Sequence, residues 1–340
     1  MKNIIFLVDA QQGPSGGGKV IYQYSNYINS LKDFSSSVAH LKKKKFNKWM
    51  QSINKRMNLY EENYTGWKAN ELTVKKNYFF SWFNVSIKSK NNLVFDKKKD
   101  FVILPEIFAH FACDLLIKKK IKYAIFVQNG YALFPTYDLR KLNKSYNNAK
   151  FILSYSKDIK SCISLAFPKI KKKIVDVKYS IDKSKLHSQS KKLNLITFMP
   201  RKLKKHSELT LSFLKNNLPK KWKLKALHNM SEKEVFKNLK KSKIFLSFSE
   251  LEGLPLPPVE AALAGNQVIG YTGEGGKEYW RKPIFTEIKT GELKIFCREI
   301  LRKIKIKDFL KKTKKQRVYL ANQFSSSKEK VSIKNFLKLI

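Results

Sequence analysis

Arginine is scarce in this chain: only seven of its 70 basic residues are arginine, and the rest are lysine. Acidic residues are few as well, 26 in 340, which leaves a formal net charge of +44. Such a charge points toward nucleic acid or an anionic membrane surface. A dedicated polyanion binder, however, draws on arginine for bidentate phosphate and base contacts. Lysine is accompanied by abundant asparagine, isoleucine and phenylalanine, all residues with A/T-rich codons. The charge therefore reads as compositional bias spread over every surface, and nucleic acid is not expected as a partner. Lysine clusters still add attraction close to anionic lipid, so peripheral contact with such a membrane stays open as a secondary role.

Cysteine is nearly absent too. Cys113, Cys162 and Cys297 lie far apart, which excludes a disulfide framework and a thiolate metal cluster and makes a reducing compartment the default. The five histidines (His40, His110, His187, His206 and His228) show no ligand spacing, so no metal is expected. Long hydrophobic runs are missing. The apolar run at residues 4–8 ends at Asp9, too short for the core of a secretory signal. No later stretch approaches the ~20 apolar residues of a membrane span. The expectation is a cytoplasmic protein, with attachment at the inner face of the membrane left open. No internal repeat is evident.

What the chain does have is 43% hydrophobic residues over a length of 340, enough for two ordinary domains with cores. Short β-branched or aromatic runs recur at residues 4–8, 101–104, 123–127, 151–155 and 174–179. A second series falls at 195–199, 222–227, 244–248 and 267–270. Runs of this length separated by helical stretches mark βαβ units and parallel sheets. The expected fold is α/β, two doubly wound Rossmann-like domains joined around the polar stretch 182–192. The domains are expected at 1–185 and 186–340, the latter ending in amphipathic helices packed on the body. Residues 42–99, around Trp49, Trp67 and Trp82, are less regular and read as a surface elaboration of the first domain, with a lid or acceptor site as the other reading.

The most informative segment is ELEGLPLPPVEAALAGNQVIGYTGEGGKEYW, residues 250–280. A strand runs into a short loop and then into a helix opened by Pro257 and Pro258, suited to a first turn whose N–H groups have no intrahelical partner. Ala261 to Ala264 continue it and Gly265 ends it. Such a helix start, at the carboxyl end of a parallel sheet, suits a diphosphate.

Glu252 and Glu260, with seven residues between them in EGLPLPPVEAALAG, resemble the paired-glutamate motif EGFGLPxxEAxAxG of glycosyltransferase family 4. The strand and the loop Gly275-Gly276-Lys277-Glu278 that follow are similar to that family as well. The resemblance implies a GT-B fold, with the two domains facing a cleft, and no metal. It assigns Glu260 to the ribose hydroxyls of a nucleotide and Glu252 to the donor sugar near the reaction centre, and carboxylates are strong acceptors for vicinal hydroxyls. Gly253 and the amides of Leu254 and Leu256 are the candidates for the phosphates. Pro255 stands where the family has a second glycine and has no N–H to offer. In ITFMPRKLKKH, Arg201 matches the family arginine that neutralises the leaving diphosphate, and Lys205 is the nearest counterpart of the lysine that follows, one residue short of the usual spacing.

Glycines let a backbone approach a ligand closely, and Gly16, Gly17 and Gly18 resemble the family's glycine-rich turn facing the donor phosphates. Residues 13–19 also fit a phosphate-binding loop of the NTPase kind, except that Val20 replaces the magnesium-holding hydroxyl. The dinucleotide fingerprint fails on spacing. At the end of DFVILPE, Glu106 is a candidate to orient an acceptor or carry a proton, with a structural acid as the other reading. His110 reads as a packing residue, and Gln128 and Asn129 could line the site. The implied function is transfer of a sugar, with retention, from a nucleotide-diphosphate sugar to a hydroxyl of a glycan or lipid-linked acceptor, in cell-surface polysaccharide or lipopolysaccharide synthesis. No cofactor beyond that donor substrate is expected. The alternatives are a basic nucleic-acid-binding protein and a GT-B-like sugar-nucleotide epimerase.

Overall fold

A computed structural model describes residues 2–8, 16–41, 67–68, 71–73, 92–136, 138–187 and 191–340. The chain divides into two compact units, Met1–Lys178 with Lys330–Ile340, and Tyr179–Glu329.

The strands of the first unit are β1 (Lys2–Val8), β2 (Phe34–His40), β3 (Trp67–Lys68), β4 (Glu71–Thr73), β5 (Asn92–Val94), β6 (Asp100–Pro105), β7 (Lys122–Val127), β8 (Phe151–Ser154) and β9 (Ile174–Asp176). Six of them form one sheet in the order β2-β1-β6-β7-β8-β9, parallel throughout. Every residue of β6 is buried, as a strand covered on both faces requires. The helices of this unit are α1 (Gly16–Ile28), α2 (Leu139–Asn148) and α3 (Lys157–Ala166). Asp138 caps α2 by accepting from the Lys141 amide, and Ser156 caps α3 by accepting from the Ile159 amide, each satisfying one orphan N–H. The short strands β3, β4 and β5 form a separate antiparallel sheet within the segment read as an elaboration. Trp67 opens β3, whereas Trp49 and Trp82 lie outside the described residues.

Sequence periodicity does not reveal β2. Its sequence, FSSSVAH, offers little apolar alternation, yet it pairs with β1 along its whole length. Its polar groups find partners instead: Ser36 Oγ donates to Ser25 Oγ at 2.8 Å and Asn29 Nδ2 to the Ser36 carbonyl at 3.0 Å.

The second unit holds β10 (Leu193–Phe198), β11 (Lys223–Ala226), β12 (Ser242–Glu252), β13 (Gln267–Glu274) and β14 (Phe285–Glu287), in the order β11-β10-β12-β13-β14. All neighbours are parallel. Its longer helices are α4 (Lys204–Leu214), α5 (Glu232–Lys241), α6 (Leu256–Leu263), α7 (Leu293–Lys303), α8 (Lys314–Gln323) and α9 (Ser326–Leu337), the last running on into the first unit. Ser231 and Glu234 close a capping box on α5, satisfying two orphan donors reciprocally. From Ile300 onward, the stretch expected to be amphipathic, α9 buries Ile333, Phe336 and Leu337. In contrast, α8 buries only Leu320 and leaves Val318 54% and Tyr319 71% exposed. No helix of the described residues is long and apolar enough to cross a membrane.

The C-terminus departs from the expected division at 185/186, because Lys330–Ile340 group with the first unit and not with the second. The reason is packing. Phe336 is buried, with its ring centroid 6.2 Å from Phe101 and 6.0 Å from Phe151, and Ser332 Oγ accepts from the Lys178 amide at 2.8 Å.

Both sheets change direction once. After β2 the chain crosses β1 and continues at β6; after β11 it crosses β10 and continues at β12. The carboxyl ends of β1 and β6, and of β10 and β12, therefore flank topological switch points, where open α/β sheets bind ligands.

Replacing Phe336 by alanine should cost about 3–5 kcal/mol, the usual range for a buried phenylalanine, and remove the anchor of the C-terminal segment. Denaturant unfolding monitored on first-unit probes measures this; a loss below about 1 kcal/mol would contradict the packing.

Candidate functional site

At the second unit's switch point, β10 ends at Phe198 and the turn to α4 carries Arg201 and Lys202. Leu203 takes a left-handed φ of 45° there, an uncommon conformation for a bulky residue. Across the switch, β12 ends at Glu252. Its pairing with β13 slips between Ser249 and Glu252, so Glu250 and Leu251 together face Gly273. Leu251 has φ 38° and Gly273 φ 62°. A bulge of this kind re-aims the side chain that follows, and Glu252 Oε1 accepts Lys202 Nζ at 2.9 Å. Both partners are partly exposed, and such pairs contribute about 0–1 kcal/mol. Little folding energy is invested in this contact, so a ligand can displace it at low cost.

The expected strand–loop–helix order is present, with β12 running further than the apolar run indicates and α6 beginning at Leu256. The turn between them is held by glycine contacts. A β-carbon on Gly275 would collide with the Gly253 carbonyl, and the Tyr279 hydroxyl donates to the Pro255 carbonyl at 2.5 Å. Gly265 closes the helix with φ 87°, as expected of a glycine after the last turn.

Prolines alter the helix start. Pro255 is the N-cap residue, Leu256 the first helical residue, and Pro257 and Pro258 follow. Of the four N-terminal amides that a helix leaves without intrahelical partners, only that of Leu256 has a proton to offer. The dipole remains, but the set of donors is reduced to one. Glu260 lies in the following turn, 9% exposed. Gly253 and Leu254 are buried. Arg201 and Lys205 are exposed, and Arg201 makes no hydrogen bond or ion pair among the described residues. The lysine brought to Glu252 is Lys202, which the sequence reading passed over. In a chain so rich in lysine, one residue beside Arg201 carries no signal of its own.

In the first unit, Gly16, Gly17 and Gly18 form the first turn of α1, while Asp9 and Gly13 lie outside the described residues. Glu106 follows β6, on the other side of that switch point, and is 4% exposed. Its two carboxylate oxygens accept the backbone amides of Gln128 at 3.0 Å and Asn129 at 2.9 Å, at the end of β7. The carboxylate thus braces the β7 end. Burial and these amide donors fit the structural acid, the other of the two readings of Glu106. Burial pushes its pKa up to about 7, against the pull of the Gln128 amide, its own amide and that of Asn129. His110 is fully buried, its ring centroid 4.0 Å from that of Phe111.

Compared by sequence, the chain matches no protein-family model and no curated protein. Compared by structure, it superposes on HepE from Anabaena, solved in complex with UDP and glucose, with a TM-score of 0.70 at 10% identity over 99% of both chains.

The chain has the GT-B fold.

TarM superposes with a TM-score of 0.66 at 11% identity, covering 100% of this chain and 98% of that one. A glycosyltransferase from Rickettsia africae superposes with a TM-score of 0.58 at 13% identity, over 99% and 97%. Likeness at these identities carries the fold, and function must be argued from the residues at the carboxyl edges.

Ionisation of Glu106 should be visible in stability. The unfolded carboxylate titrates near 4.5 and the folded one near 7. Between those values the native state holds a proton that the unfolded chain has lost, so stability falls as pH rises. The contribution is complete below pH 4.5, declines by about 3 kcal/mol up to pH 7 and is flat above it. Unfolding of wild type and Glu106→Gln from pH 4 to 9 should show this slope only in wild type; parallel profiles would contradict it.

Proposed function

We propose that the chain is a glycosyltransferase that takes its sugar from a nucleoside-diphosphate sugar held at the carboxyl edge of the second unit. The observation that carries this reading is the set of groups around the β10/β12 switch point: Arg201 and Lys202 after one strand, Glu252 and the α6 start after its neighbour, and Glu260 one turn on. Cations suit the diphosphate and carboxylates suit the sugar and ribose hydroxyls. HepE has been solved in complex with UDP-glucose, and a TarM mutant from S. aureus with Fondaparinux, alpha-GlcNAc-glycerol and UDP, which supports a uridine nucleotide here.

In this reading Glu260 accepts the ribose hydroxyls and Glu252 turns from Lys202 to the donor sugar. Arg201, exposed and without a polar partner among the described residues, neutralises the departing diphosphate, aided by the α6 dipole and the Leu256 amide. With three prolines limiting the helix amides, side-chain cations carry most of that neutralisation, Lys202, already at Glu252, ahead of the exposed Lys205. Catalysis then consists of stabilising the leaving group and orienting the acceptor hydroxyl. The resemblance to glycosyltransferase family 4 supports retention of anomeric configuration, an acceptor that is a glycan or a lipid-linked sugar, and a place in cell-surface polysaccharide synthesis. The lysine excess is compatible with work beside an anionic membrane.

A ligand that binds only the folded state raises the melting temperature. UDP at about 100 times its Kd should stabilise the wild type by about 2.7 kcal/mol, and Glu260→Ala should lose most of that gain. Equal shifts with UDP, GDP, ADP and inorganic phosphate, unchanged in Glu260→Ala and abolished by salt, would instead identify general anion attraction.

A further inference from the structure

The Gln128 side chain ties together parts of the first unit that the sheet alone leaves separate. Its Nε2 donates to the Gly17 carbonyl at 3.0 Å, linking the end of β7 to the first turn of α1. The Gln128 backbone is pinned on both sides. Its N–H donates to buried Glu106, and its carbonyl accepts the Tyr155 hydroxyl at 2.7 Å. A β-carbon on Gly17 would collide with Gln128 Oε1, and the three atoms nearest to it among the described residues all belong to Gln128. At Gly16, by contrast, an added β-carbon would meet nothing within 4 Å among the described residues. Among the described residues, one glycine is closed off by Gln128 and its neighbour is open.

We propose that Gln128 is a positioning residue that fills the space beside Gly17 and fixes the first turn of α1, so that Gly16 offers bare backbone to a ligand at this edge. The inference rests on the reading that this edge takes part in sugar transfer. Glycine at 17 is then favoured by the Gln128 side chain, held in place by its bond to the Gly17 carbonyl, and not by its own backbone, since its φ lies outside the positive range. Gln128 touches no reacting atom in this account. Its effect passes through the turn it holds.

The consequence is a reversal of sign. Alanine is normally favoured over glycine inside a helix. Gly17→Ala should lower the melting temperature of wild type, where Gln128 opposes the new methyl group, and raise it in a Gln128→Ala background, where that opposition is gone. Thermal melts of wild type, both single variants and the double variant give the coupling directly. Equal effects of Gly17→Ala in both backgrounds would overturn the inference.

The functional arm uses UDP-glucose as the probe, reading its Kd by calorimetry and its turnover as UDP release. Gln128→Ala should release UDP about ten- to a hundredfold more slowly, with the Kd for UDP-glucose changed less than about twofold, because Glu260 still holds the nucleotide. The double variant should be no slower than Gln128→Ala alone. Wild-type turnover in Gln128→Ala, with the thermal coupling present, would make the residue a packing element and overturn the positioning role. Wild type that neither binds nor turns over UDP-glucose would remove that role along with the transferase reading, whereas the thermal coupling would still report the contact itself.

Discussion

A parallel sheet delivers the carboxyl end of every strand to the same edge, and on that constraint the rest of this molecule depends. Each unit of the chain obeys it and reverses strand order once, between β1 and β6 and between β10 and β12. At a reversal the two flanking loops diverge and leave room for a ligand. The chemically distinctive residues gather there. Gly16 to Gly18 and Glu106 occupy the first switch point, and Arg201, Lys202 and Glu252 the second.

Glycine and proline then set the detail in opposite ways. Gly275 allows the loop after β13 to press onto the Gly253 carbonyl, which no side chain would permit. Pro255, Pro257 and Pro258 stiffen the helix start and strip it of donors, leaving a dipole with a single amide. In the proposed reading charge comes from side chains instead, and Arg201 and Lys202 stand on the adjacent loop. The two switch points also differ in hydration. Glu106 is sealed and doubly hydrogen-bonded, whereas Glu252 is paired with a partly exposed lysine that it can exchange for a ligand.

The sheets were legible in the sequence wherever apolar runs were dense. β6, β7, β12 and β13 fall on the expected segments, because strands buried on both faces must be almost wholly apolar. β2 was not legible: it is rich in serine and satisfied by partners such as Ser25 and Asn29, which no local pattern announces. The return of the C-terminus to the first unit depends on Phe336 meeting Phe101 and Phe151, contacts across more than half the chain. The Glu252/Glu260 block was legible because its spacing is set by one turn and one helix. Lys202 was not, since lysine is everywhere. Glu106 is conspicuous at the end of its apolar run, but its burial and its two amide donors, which make it a brace for the end of β7, appear only in three dimensions.

The most direct test of the central claim, that the carboxyl edge of the second unit holds the nucleotide, is hydrogen–deuterium exchange with and without UDP-glucose. The account predicts slower exchange in peptides covering Arg201 to Lys205, Glu252 to Glu260 and Gly275 to Glu278, with little change at the amino ends of β10 and β12. Protection confined to the amino edge, or none at ligand concentrations that saturate binding, would contradict it.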